Sequence, residues 1–197
     1  MCSIIGYKGK FKEELVSKLL DESRIRGIHA FGFYSHEYDL KTTSYTKFKD
    51  VLLNTRPDMF VAHMRYSTSG TADVMENNQP LVRYDGQMTA LVFNGVISQL
   101  DKKNMEFKYQ ADIPSDNDGW ILMKYLHDEE FLHDKSITLA TTYIQDDNLY
   151  AYRNKLRPMY YNIQEDNTVV IASTNDILER AGLNNNVPVI EHKRYVW

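Results

Sequence analysis

The 197 residues include one cysteine, five prolines and nine glycines, and each scarcity narrows what the chain can be. One cysteine excludes an internal disulfide. It leaves the thiol as either an inert small hydrophobe or a reactive group, which its position must decide. The few glycines and prolines form no linker-like tract, and no repeat or low-complexity segment occurs. A single domain over residues 1–197 is therefore expected. No apolar run approaches the roughly 20 residues needed to cross a bilayer. Residues 1–7 lack the basic region and long apolar core of a secretion signal, so a cytoplasmic protein is expected. Net charge is −4 with no long run of either sign, which favours neither nucleic acid nor a membrane as partner. Gly6 and Gly9 lack the phosphate-loop pattern and its lysine–serine ending, so no nucleotide cofactor is expected. His127 and His133 lie six residues apart, not a ligand spacing on a helix face. With Asp128, Glu129, Glu130 and Asp134 around them they read as a solvated loop, and no metal is expected.

What the chain does have is an ordinary globular balance, 43% hydrophobic and 25% charged. Short apolar or alternating bursts at 3–7, 30–34, 59–64, 88–93, 137–144, 148–153 and 168–172 read as strands. Helical spacing occurs over 12–23, where Leu15, Leu19 and Leu20 share a face, and over 116–127 behind a Ser115/Asp116 start signal. A third helix is expected over 175–181, ended by Gly182. Strands dominate without a regular βαβ rhythm, which predicts an α+β fold with antiparallel sheet.

Cys2 draws attention because methionine aminopeptidases remove Met1 when the second side chain is small, as cysteine is. The mature chain would then carry a thiol and a free α-amine on adjacent carbons. That amine has a reference pKa of about 7.7–8.0, so it can accept the thiol proton near neutral pH. Nucleophile and general base then sit in one residue, and no catalytic histidine is required.

Hydrolysis of glutamine by such a thiol needs three further things. An arginine fork suits the substrate α-carboxylate, an aspartate suits its α-ammonium, and fixed donors must meet the oxyanion. The sequence offers Arg65 within His63-Met64-Arg65-Tyr66-Ser67-Thr68-Ser69-Gly70, Asn94-Gly95 after an apolar strand, and Asp116 in Ser115-Asp116-Asn117-Asp118. Taken singly, each has a plainer reading: a surface salt-bridge arginine, a hairpin turn, a helix cap.

Taken together, and in order, Cys2-Ser3-Ile4-Ile5-Gly6, Arg26-Gly27, the 63–70 segment, Gln79-Pro80, Phe93-Asn94-Gly95 and Ser115-Asp116 resemble the glutaminase domain of class II glutamine amidotransferases. One such domain is the glutaminase half of glucosamine-6-phosphate synthase. The stretches 152–161 and 171–173 resemble the family's later strand pair, so the likeness covers nearly the whole chain.

The resemblance implies a four-layer αββα sandwich of two antiparallel sheets, the N-terminal-nucleophile hydrolase fold. It implies Cys2 as nucleophile and base, with the Asn94 side-chain amide and the Gly95 N–H as oxyanion hole. Arg65 with Thr68 would bind the substrate carboxylate and Asp116 its ammonium, while Arg26 would support the nucleophile. Phe93 stands where many members carry histidine, Ser69 where some do, and Asn117 replaces a common threonine. The expected substrate is glutamine, with ammonia passed to a separate synthase. The alternative is a stand-alone hydrolase of other γ-glutamyl amides.

Overall fold

A computed structural model describes residues 1–67 and 71–197. Thr68 and Ser69 therefore lie outside the described residues. The chain opens with β1 (Ser3–Lys8), α1 (Glu13–Arg24), β2 (Ala30–Ser35), β3 (Tyr38–Thr42), α2 (Tyr45–Thr55) and β4 (Met59–Arg65). It continues through β5 (Leu81–Tyr84), β6 (Met88–Val96), α3 (Lys102–Tyr109), α4 (Gly119–Lys124), α5 (Glu129–Leu132), β7 (Thr138–Gln145) and β8 (Asn148–Arg153). The last elements are β9 (Tyr160–Ile163), β10 (Val169–Ala172), α6 (Asn175–Arg180), β11 (Val187–Pro188) and β12 (Tyr195–Val196).

The strands form two sheets, ordered β11-β9-β10-β1-β4-β2-β3 and β12-β8-β7-β6-β5. Every pairing is antiparallel. Strand parity explains how the layers stack, because alternate side chains leave opposite faces. From β1, Ile4 enters a core between the sheets with Val61, Ala90, Val92, Ala140 and Ile171. Its neighbour Ile5 points the other way and packs with Leu19, Leu20, Phe48 and Leu52 of α1 and α2. On the outer face of the second sheet, Leu91 and Phe93 pack with Met105, Ile121 and Leu122 of α3 and α4. The result is the expected four-layer αββα sandwich. Because the central strands are covered on both faces, they read as short apolar bursts rather than clean alternation. Burial of each large side chain in these layers stabilises the fold by roughly 1.5–3 kcal/mol. Among the described residues, no helix is long and apolar enough to cross a membrane.

Several expectations are corrected. The 116–127 helix shrinks to α4, because residues 115–118 spend their polar groups on neighbouring loops instead of extending the helix. Residues 129–132 of the expected loop are helical as α5, started by Asp128, whose Oδ1 accepts the Phe131 N–H at 3.0 Å. His133 stacks on His192 with ring centroids 4.4 Å apart. Asn94-Gly95 is no hairpin turn: both residues lie inside β6, opposite Ala140 and Leu139 of β7.

The signals for the helix α2 are local. Ser44 accepts the Lys47 N–H at 3.2 Å as an N-terminal cap, and Phe48, Val51 and Leu52 repeat at helical spacing behind it.

Candidate active site

Antiparallel pairing of β1 with β4 sets Ser3 opposite Met64, so the start of the first strand lies beside the end of the fourth. Parity then does the rest. Cys2 lies two residues before Ile4, Asn94 two after Val92, and His63 and Arg65 two and four after Val61. All four therefore face the space between the sheets, at the end where its apolar filling stops.

The Cys2 Sγ lies 3.4 Å from the Tyr66 N–H, which donates to it, and 3.7 Å from the Tyr66 carbonyl. The Cys2 carbonyl accepts from Asn94 Nδ2 at 3.2 Å and from Arg26 Nε at 3.3 Å. Arg26 reaches it because the chain turns tightly after α1, with the Arg26 N–H on the Ser23 carbonyl and the Gly27 N–H on the Arg24 carbonyl. Asn94 commits one of its two Nδ2–H bonds in this contact. Gly95 follows, and any Cβ there would fall onto the Thr138 carbonyl of β7, so only glycine lets the two strands close at this point.

Arg65 is 9% exposed. Its Nη1 donates to Asn78 Oδ1 at 2.6 Å and to the Thr71 carbonyl at 3.4 Å. Burial pulls this guanidinium below the ordinary arginine value, and the neighbouring Cys2 pulls it back up. Asp116 is held through its backbone, whose N–H donates to Asn77 Oδ1 at 3.0 Å, leaving its exposed carboxylate for other work. It does not cap the following helix. The cap position is Asp118, without a side-chain cap bond, and just before it Asn117 Oδ1 accepts the Gly119 N–H at 2.9 Å.

Cys2, Arg65, Gly95 and Asp116 line one cavity of about 80 Å³ together with His63, Tyr66, Asn77, Gln79, Phe93, Asn117 and Asp118. Arg26 and Asn94 adjoin it through the Cys2 carbonyl. A larger cavity of about 680 Å³ lies at the far end of β1, by Lys8 and residues 35–37 and 57–59. Neither Cys2 nor Arg26, Arg65, Asn94, Gly95 or Asp116 lines it.

Three features of the site come from the structure. Residues 77–79 supply three buried side-chain amides, although the Gln79-Pro80 pair was the visible edge of that run. Asp118 Oδ2 accepts the Ile97 and Ser98 N–H groups at 2.6 and 3.0 Å, tying the chain after β6 to the 115–118 loop. Burial raises its pKa, and these two hydrogen bonds oppose the rise. The third is His63, 2% exposed, whose Nε2 is buried with no hydrogen-bond partner among the described residues.

Burial first, and then the Arg65 charge, push the His63 pKa down to about 3. A histidine depressed in the folded state takes up its proton preferentially on unfolding, so its contribution is complete above about pH 6.5 and is lost as pH falls toward 3. His63→Gln is therefore expected to flatten the acid limb of stability between pH 6.5 and 4, by up to about 1.4 kcal/mol per pH unit. Urea titrations at pH 7, 5.5 and 4.5 check this; parallel losses in both proteins would refute it.

A family model described as a glutamine amidotransferase domain matches residues 63–180, more than half of the chain. Among solved structures, the chain is similar to the glutamine phosphoribosylpyrophosphate amidotransferase from B. subtilis complexed with ADP and GMP. The TM-score is 0.76 at 16% identity, over 99% of this chain and 47% of that one. A structure of the allosteric regulatory enzyme of purine biosynthesis matches with TM-score 0.76 and 16% identity, over 100% of this chain and 46% of that one. A glutamine aminotransferase class-II domain protein from Silicibacter pomeroyi matches with TM-score 0.57 and 11% identity, over 99% of this chain and 94% of that one. The chain thus spans about half the length of the first two structures. No curated protein sequence matches it.

Proposed function

Because the chain belongs to the glutamine amidotransferase domain family, and is an enzyme with the fold of its class II structures, we propose that it hydrolyses the glutamine side-chain amide through Cys2 once Met1 is removed. The observation that carries this reading is the meeting of Cys2 with the β6 end at Asn94, 92 residues away in sequence, beside the buried Arg65. In the structure Met1 is 67% exposed, so a processing enzyme can reach it.

In this reading Arg65 grips the substrate α-carboxylate with its planar fork, Thr68 assists, and Asp116 takes the α-ammonium. The freed Cys2 amine accepts the thiol proton, and the thiolate attacks the amide carbon. The oxyanion that forms is met by Asn94 Nδ2–H and the Gly95 N–H. The protonated amine gives its proton to the departing nitrogen, ammonia leaves and a γ-glutamyl thioester remains. Water then adds to the thioester, the amine taking its proton. Collapse expels the thiolate, which recovers that proton, and glutamate departs. Arg26 acts on the Cys2 carbonyl and keeps the nucleophile in register. Ammonia passes to a separate synthase.

A glutamine-like diazoketone tests the reading directly. It is expected to modify Cys2 alone in protein whose intact mass lacks Met1, and glutamine should protect. Modification elsewhere, or none, would overturn it.

A further inference from the structure

We infer that the consecutive carboxamides of Asn77, Asn78 and Gln79 form one strap that positions three different parts of the substrate site, each amide holding its own part. The inference rests on the glutaminase reading above and extends it to residues that touch no reacting atom.

All three side chains are buried, and each ends on a different wall. Asn78 Oδ1 accepts from Arg65 Nη1 at 2.6 Å, while its Nδ2 donates to the Ala72 carbonyl at 2.7 Å. Asn77 Oδ1 accepts the Asp116 N–H at 3.0 Å, and its backbone carbonyl accepts Asn117 Nδ2 at 2.9 Å. Gln79 Oε1 accepts the Phe93 N–H at 2.6 Å, the residue directly before Asn94. Carboxylate clamp, ammonium acceptor and oxyanion strand thus hang on three adjacent residues.

The strap is itself fixed at both faces. Beyond Pro80 the chain enters β5, whose Leu81 pairs with Leu91 of β6, the strand that carries Asn94. On the other side it lies so close to β2 that a Cβ at Gly32 would collide with the Gln79 carbonyl. It therefore bridges the two sheets at the end where the cavity opens.

The choice of amides has a chemical reason. An amide oxygen orients a guanidinium or an N–H without adding charge. A carboxylate at position 78 would pair with Arg65 as an ion pair and compete with the incoming substrate carboxylate. The asparagine aims the arginine and leaves its charge for the ligand.

Each residue should therefore govern one feature of glutamine, which a general structural role would not do. The test measures glutamine hydrolysis by the processed full chain. Two competitive inhibitors probe the parts: glutaramate, which lacks the α-ammonium, and 4-aminobutanamide, which lacks the α-carboxylate.

Asn78→Asp is expected to raise the glutamine KM and the glutaramate Ki about 10–100-fold, the range for a charge-assisted contact. Its kcat and its Ki for 4-aminobutanamide should hold within about 2-fold. Asn77→Ala should do the reverse, weakening 4-aminobutanamide and sparing glutaramate. Gln79→Met should lower kcat about 10-fold with KM held, because the strand before the oxyanion donors loosens. If Asn78→Asp does not fold, Asn78→Ser carries the same comparison.

Uniform weakening of both inhibitors in each variant, with a lowered Tm, would overturn the strap and leave the glutaminase reading intact. A wild-type protein that releases no ammonia from glutamine would overturn both.

Discussion

Replacing Cys2 by alanine is expected to abolish glutamate and ammonia release while leaving the protein folded. Alanine is as small as cysteine to a methionine aminopeptidase, so Met1 still leaves and the α-amine stays in place. Only the sulfur is gone. Residue 2 is held chiefly by its carbonyl, which accepts from Arg26 and Asn94 and which alanine retains, while the Tyr66 N–H loses only its weak contact to the sulfur. A small, only partly buried side chain contributes little packing, so Tm should move by no more than the few degrees typical of about 1 kcal/mol. Activity, by contrast, should fall by roughly 10⁴-fold or more, since removing a covalent nucleophile deletes the intermediate and not merely a contact. Ammonia production by the folded variant at a tenth of the wild-type rate would rule out the thioester route.

Asn94→Ala carries the second large effect. Its Nδ2 lies at the nucleophile's own residue, and losing one oxyanion donor costs about 10²–10³ in kcat. KM should change little, because the donor strengthens its bond only as charge develops on the amide oxygen. The residue is 6% exposed, so truncation also leaves a small void, and a Tm measurement separates that from the chemistry. Asn94→Asp is the sharper variant. It keeps the volume but presents a carboxylate both to the developing oxyanion and to the Cys2 carbonyl it now supports, so its kcat should lie below that of the alanine variant. An Asn94→Asp enzyme faster than Asn94→Ala would exclude Asn94 as a donor to the oxyanion.

Much of the fold was legible because burial on both faces concentrates apolar residues into short bursts. The strands at 3–7, 30–34, 59–64, 88–93 and 148–153 emerge from that signal almost to the residue. The edge strands β3, β5, β11 and β12 and the short β9 beside one of them escaped it, because a strand covered on one face or none carries polar side chains like any loop. The span of α4 is shorter than the expected 116–127 for a different reason. Ser115, Asp116, Asn117 and Asp118 are all competent helix starters, and nothing local says that three of them are engaged in hydrogen bonds with residues 77, 97 and 98. The same non-locality hid the Asn77–Gln79 amides: buried amides and solvated ones look alike until their partners are known.

What sequence alone determined is which chemical groups the chain owns and their strand parity: a thiol at the second residue, an arginine, an asparagine–glycine pair and an aspartate, several on the same face as their apolar neighbours. Those properties are local, set by side-chain type and by the period of two along a strand. What only the tertiary structure decided is that the thiol, arginine, glycine and aspartate share one cavity with the asparagine beside it, that Asn94-Gly95 continues a strand, and that three neutral amides hold the arrangement. Those outcomes depend on antiparallel registers and loop contacts between segments distant in sequence, and no pattern within any one segment encodes them.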